Sequence, residues 1–189
     1  MDYGYNFRYG HLSSGKYLAK INYSSIASSL SSKQATAISH WNSSASSYVS
    51  FTNSSISNAD ITVSSVTSTW EPGSSIFGIT CIYDNEGKWY SGGYYQTILT
   101  PQASPKPGVK RYIQFASIML SPALTSSSSS NQDRTLRHEM GHAIALGHST
   151  TTSDLMYPTP KYNPANGVVT NRYVGNYERN KLSADLSNY

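Results

Sequence analysis

Residues 137–148 read RHEMGHAIALGH, and Met156 follows eight residues after His148 in 154–158, DLMYP. On a helix, His138 and His142 stand four apart and place both imidazoles on one face, one turn above the other. Two ligands of a metal site are thereby preset. A zinc ion that keeps its fourth position open for water needs a third protein ligand, and His148 lies six residues beyond His142, just after Gly147. A reversal of the chain at the helix end brings it back to the other two. Glu139 is about 100° round the helix from His138, close enough to face a metal-bound water without ligating the metal, which is a general-base position.

A bare H-E-x-x-H occurs by chance in solvated helices. Here a third histidine, a methionine-containing turn and only two other histidines, His11 and His40, accompany it. The segment resembles the metzincin zinc peptidases, whose pattern is H-E-x-x-H-x-x-G-x-x-H with a later Met-turn; His138, Glu139, His142, His148 and Met156 fall on the family positions. Among metzincins, Met156-Tyr157-Pro158 is most similar to the matrixin subgroup, where this tripeptide closes the Met-turn and opens the wall of the primed-side specificity pocket. Pro158 stands where some other subgroups carry a tyrosine ligand, so no tyrosinate ligand is expected. The resemblance gives Tyr157 a packing and backbone role, and has Met156 pack beneath the metal without binding it. It implies an α+β, zincin-like domain: a twisted mixed β-sheet, a long N-terminal helix, the zinc-binding helix and a C-terminal helix. It implies Zn2+ as cofactor, leaves Ca2+ open at no assignable position, and makes protein or peptide the substrate.

One position departs from the family. Ala145 occupies the place of the glycine that lets the helix stop and the chain swing towards the third ligand. An alanine in the left-handed conformation costs roughly 1–2 kcal/mol. Either Ala145 accepts that strain, or the helix runs on and Gly147 supplies the flexible residue. Alanine is a strong helix former, and Gly147 directly precedes His148, so the expectation is a zinc helix extending past Ala145.

The chain has 189 residues, enough for one domain with a real core and too few for two comfortable ones, so residues 1–189 are read as a single catalytic domain and the protein as a monomer. Net charge is +4 and pI about 9.1, but the basic residues are scattered and form no stripe of the kind a nucleic-acid binder shows. No apolar run of about 18 residues marks a transmembrane helix. The first residues also lack the charged and apolar regions of a signal peptide. The family resemblance, with low charge and abundant Ser, Thr, Asn and Tyr, favours an exported, extracellular protein in a mature or truncated form. Cys81 is the one cysteine, so it has no intramolecular disulfide partner, and its alternation with Ile79 and Tyr83 makes it a buried strand residue.

Strands are expected at Tyr17 to Tyr23, Val49 to Thr52, Ile61 to Val66, Ile76 to Tyr83 and Tyr112 to Leu120. Ser31-x-x-Gln34 gives a capping-box signal for a helix whose apolar face is Ala35, Ile38, Trp41, Ala45 and Tyr48; His40, with no partner at i±4, is a surface or packing residue, and so is His11. After Ile76 to Tyr83 the DNEG run supplies a turn into KWYSGGYY. By family order Ile76 to Tyr83 is the antiparallel edge strand, whose free backbone groups can pair with an extended substrate. Residues 101–107, PQASPKP, read as a surface loop, and so do Asn163 to Asn171. The serine run Ser126 to Ser130 reads as a connection ended by Asn131 or Asp133 capping the zinc helix. Tyr177 to Leu186 forms a last helix, with Tyr177, Lys181, Leu182 and Leu186 partly inward.

The leading functional reading is a secreted zinc endopeptidase that hydrolyses extended protein segments by a zinc-activated water, with Glu139 taking and delivering the proton. The alternative is a catalytically weak zinc-containing module that binds a surface or cell wall. Glu139 argues against it, because a purely structural zinc site has no use for a base and usually closes all four positions.

Overall fold

Tyr17, Ala19, Ile21 and Tyr23 alternate with polar or exposed neighbours and are buried along strand β3 (Lys16–Ser25), as a period-2 pattern on a half-buried strand requires. The structure is a computed structural model and describes residues 8–67, 76–84, 89–92, 112–158 and 173–187. Within them β3 runs parallel to β4 (Val49–Asn53) on one side and to β5 (Ile61–Ser65) on the other. Strand β5 is parallel to β8 (Tyr112–Leu120), β8 is antiparallel to β6 (Gly78–Asp84), and β6 is antiparallel to β7 (Trp89–Gly92). The order across the sheet is therefore β4-β3-β5-β8-β6-β7. Two short strands not read from the sequence complete it: β1 (Arg8–Tyr9) pairs with the start of β8, and β2 (Leu12–Ser13) with the start of β3. This is the mixed sheet that was expected.

Strand β6 is antiparallel to its neighbour, as expected, but it is not the edge along its whole length. From Thr80 to Tyr83 its outer side is already paired with β7, in the register Thr80↔Gly92 to Tyr83↔Trp89. The sequence showed a turn leading into residues 88–95 but could not say on which side of β6 they would fall.

Helix α1 (Ser31–Ser44) follows β3, and α2 (Pro122–Thr125) leads from β8 into α3 (Ser129–Ala143). Helix α4 (Asn176–Ser187) ends the described chain. Helix α1 packs on β4 and α3, and α3 on β6 and β8. Their shared core includes Leu30, Trp41, Ile61, Ile118, Leu136 and Met140. In α1 the buried face is Ala37, Trp41 and, just past the end, Ala45; Ala35 is exposed and Ile38 only half-buried. The capping box is also not formed. A 3-10 turn, Ser28–Leu30, precedes the helix and Ser31 Oγ donates back to Ser28 O (2.7 Å), so the chain enters α1 already coiled.

At α3 the cap is Ser128, whose side chain accepts from Asn131 N–H (3.3 Å), rather than Asn131 or Asp133. The helix starts earlier than expected because α2, begun by Ser121 and Pro122, winds up most of the stretch before it. In α4, Glu178 and Leu182 are buried while Tyr177, Lys181 and Leu186 are half-buried. Cys81 is buried in β6. The loops at 101–107 and 163–171 and the turn after Asp84 lie outside the described residues. No helix among those described is long and apolar enough to cross a membrane.

Candidate metal centre

Helix α3 carries His138 and His142 on one face, and the chain reverses immediately after it. The reversal is made at Ala145, with φ of 74°, while Gly147 is absent from the positive-φ residues. The expectation that the helix continues past Ala145 is thus overturned: α3 ends at Ala143 and Ile144 is its C-cap. Ala145 N–H donates to His142 O (3.0 Å) and Leu146 N–H to Gly141 O (3.0 Å), the two bonds of a Schellman cap with a left-handed residue at its centre. These bonds satisfy carbonyls that the helix end would otherwise leave without partners, and they set against the local strain of the alanine. The turn has a second effect. It puts Leu146 O 2.8 Å from His142 Nδ1, so the residue after the strained position orients a ligand ring.

His138 Nδ1 faces Leu155 O at 2.8 Å. A carbonyl only accepts, so both Nδ1 atoms carry the proton, and both Nε2 atoms of the neutral rings are bare. Those Nε2 atoms lie 3.0 Å apart, and His148 Nε2 lies 3.1 Å from that of His142. Two bare nitrogen lone pairs facing each other at this distance repel unless a cation sits between them. Tetrahedral zinc with Zn–N of about 2.0–2.1 Å would set its nitrogens about 3.3 Å apart. Two of the separations lie close to that spacing, all three ligand atoms lie within 4.8 Å of one another, and they form the one His/Cys/Asp/Glu cluster suited to a metal among the described residues. Burial pushes all three imidazoles towards neutrality: His138 well below its ordinary range, His142 to about 3 with His148 adding to the effect, and His148 to about 4 with the Arg134 guanidinium adding to it. Neutral imidazole is the form that ligates.

Glu139 is buried beside the ligands but turned onto β6. Its Oε2 accepts from Thr80 Oγ1 at 2.6 Å. Desolvation raises its pKa to about 7, against the lowering influence of the Thr80 hydrogen bond and of Arg134. Gly78 leaves the room: a Cβ there would come within 2.8 Å of Glu139 Cγ and 3.0 Å of Oε1. Neither Gly78 nor Thr80 was singled out from the sequence. Period-2 alternation puts them on one face of β6, but nothing in it says which helix residue that face meets.

Three successive residues at the Met-turn, Leu155, Met156 and Tyr157, are each tied by the backbone. Leu155 O takes the His138 bond, Met156 N–H donates to Glu178 Oε1 (3.0 Å), and Tyr157 O accepts from Arg134 Nη2 (2.5 Å). Tyr157 is half-buried, and Pro158 is exposed beside it. Met156 Sδ packs where a Cβ of Gly141 would stand, which places the methionine under the ligand-bearing turn of α3. Tyr177 Oη donates to His148 O (3.1 Å), so α4 holds both the Met-turn and the third histidine. Arg134 and Glu178 are the residues that the motif did not reveal. His11 and His40 take no part: His11 lies against Gln114 O and Asp60, and His40 Nε2 accepts from Val174 N–H.

Three convergent imidazoles with an adjoining buried carboxylate, and no fourth His, Cys, Asp or Glu grouped with them among the described residues, form a site suited to a metal ion. The model of the matrixin family matches residues 17–172, most of the chain, and the chain belongs to that family of zinc-dependent metallopeptidases.

Proposed function

We propose that this chain is a zinc endopeptidase acting on extended segments of protein substrates, with Glu139 as its general base and His138, His142 and His148 as the metal ligands. When bound, zinc supplies a Lewis acid for the scissile carbonyl and acidifies water. The chain's own part is to hold the three rings neutral and oriented, through Leu155 O and Leu146 O on two of them, and to keep a carboxylate at their side. A carboxyl group whose charged form is disfavoured by burial can take a proton in one step and return it to the leaving amine in the next. The observation that carries the reading is the burial of Glu139 against the histidine cluster: an ionisable group desolvated at that cost has a use as a base and none in a module that only binds a surface.

The same reading makes residues 1–189 one catalytic domain, monomeric and acting outside the cell, with Met156, Tyr157 and Pro158 forming the floor and wall of the substrate pocket. A digest of a peptide library by the zinc-loaded chain tests it. Cleavage within peptides, abolished by a chelator and restored by zinc, is expected. Zinc binding without any cleavage would instead leave the surface-binding module as the reading.

A further inference from the structure

We propose that strand β6 prepares the base: Thr80 is a positioning residue that holds Glu139 Oε2, Gly78 clears the space at Oε1, and Oε1 is therefore the oxygen that exchanges the proton. This rests on the peptidase reading above. Thr80 Oγ1 has one proton and two acceptors of Glu139 within reach, Oε2 at 2.6 Å and the backbone O at 3.1 Å. The shorter contact, to the charged group, is the stronger bond and takes the proton. An oxygen so engaged is held in place by the Thr80 hydroxyl. The other, Oε1, lies beside Gly78, where no side chain crowds it; a Cβ there would stand 3.0 Å from that atom. Thr80 is itself 1% exposed, so its rotamer is fixed by packing and no solvent competes for its hydroxyl. Two residues, two apart on one strand face, thus divide the carboxylate into a fixed oxygen and a free one.

The reaction needs this division. During hydrolysis a proton passes from water to the carboxylate and then to the amine that leaves as the C–N bond breaks, so the proton count on Glu139 is the same before and after. A carboxylate free to rotate would present either oxygen at varying distance, and a misplacement of about 1 Å at a reacting group costs on the order of 10²-fold in rate.

The experiment uses a quenched fluorescent peptide that the zinc-loaded wild-type chain cleaves, taken from the library above. Thr80→Val keeps the shape and removes the donor; Thr80→Ser restores the donor. With Thr80→Val we expect kcat to fall about 10- to 100-fold, KM to stay within about twofold because the hydroxyl touches Glu139 and not substrate, and zinc content to stay at the wild-type value. Thr80→Ser should recover most of kcat. Gly78→Ala, which must push Glu139 aside, should lower kcat in the same way. If Thr80→Val folds poorly, Gly78→Ala carries the test on its own, because it displaces Glu139 and leaves the Thr80 donor in place: wild-type kcat in that variant would overturn the proposal. Wild-type kcat in Thr80→Val, failure of Thr80→Ser to restore a lost one, or a change in KM alone would overturn the proposal. A wild-type chain that cleaves no peptide would overturn the peptidase reading instead.

Discussion

Helices α1 and α3 pack against each other and against the same sheet, yet they obey opposite rules. Of its fourteen residues α1 fully buries two, Ala37 and Trp41, and leaves the rest half-buried or exposed. Of its fifteen α3 buries eleven, among them Arg134, Arg137, His138, Glu139 and His142. A helix buried on all sides is ordinarily apolar. Helix α3 instead carries ionisable groups into the core, and the cost is visible in the displaced pKa values of His138, Glu139 and His142. Perturbed groups gathered in one place mark a functional site. Helix α1 is scaffold: Trp41 Nε1 donates to Arg137 O (3.1 Å) and its ring lies beside Gly141, so it backs the helix that carries the chemistry.

If that division is right, substitutions in α3 should change chemistry at little cost in stability, and those in α1 the reverse. The largest effect is expected for Glu139→Ala, which should lose roughly 10²–10⁴ in hydrolysis rate while it still binds zinc and folds; peptide cleavage at the normal rate would break the comparison. His148→Ala should weaken zinc by more than the roughly 10–100-fold that loss of an outer-shell partner produces, read by metal analysis after dialysis. Unchanged zinc content and affinity would remove His148 from the site. Trp41→Ala should destabilise the chain by about 3–5 kcal/mol in a denaturant melt, with the ligand set intact. A loss of zinc that precedes unfolding in this variant would show that α1 does more than support.

The buried histidines also give the metal-free chain a pH dependence. His142 and His148 have folded-state pKa values lowered to about 3 and about 4 from an ordinary 6.5. Above pH 6.5 both rings are neutral whether folded or not and contribute nothing. As pH falls below 6.5 the unfolded chain takes up protons that the folded one refuses, so stability drops with falling pH through about 4 and on towards 3. Thermal melts of the chelated protein from pH 7 to pH 4 should show this decline, against a background corrected with a His142→Ala, His148→Ala double variant. Equal slopes in the two chains would place the rings in contact with water.

The contrast between the helices also explains what the sequence made legible. Helix α3 was read from its chemistry: the spacing of His138, His142 and His148 fixes a face and a reversal whatever the rest of the chain does, and the structure brings the three together. Helix α1 had to be read from apolar periodicity, and alanine carries too little of it. Ala35 and Ala37 are equivalent in composition, and the buried one is that which shares a face with Trp41 and Ala45, four and eight residues on. The serine run before α3 was read as a connection capped at Asn131 or Asp133, whereas the helix takes its cap within the run, at Ser128. Gly78, Thr80, Arg134 and Glu178 act across elements distant in sequence, and no local pattern shows which helix face a strand will meet or which carbonyl a buried arginine will reach.

The smallest expected effect tests the place where local preference lost to the site. Ala145 stands at φ of 74°, where a Cβ costs about 1–2 kcal/mol. Ala145→Gly removes that strain, at a cost of about 0.4–1 kcal/mol from the more flexible unfolded chain, and the lost contacts of a methyl group that is 5% exposed reduce the gain further. Strain is the larger quantity, so the variant should be stabilised by up to about 1 kcal/mol, a rise in Tm of about 2–4 °C for a chain of this length. Gly147→Ala is the control. Its backbone is not in the left-handed region, so alanine there should not incur the strain that glycine relieves at 145. The helix would have continued had propensity alone decided. It stops at Ala143 because only a turn at Ala145 puts Leu146 O on His142 Nδ1 and returns His148 to the other two imidazoles. A melt in which Ala145→Gly is clearly destabilised would mean that methyl packing, and not the reversal, sets the balance at this turn.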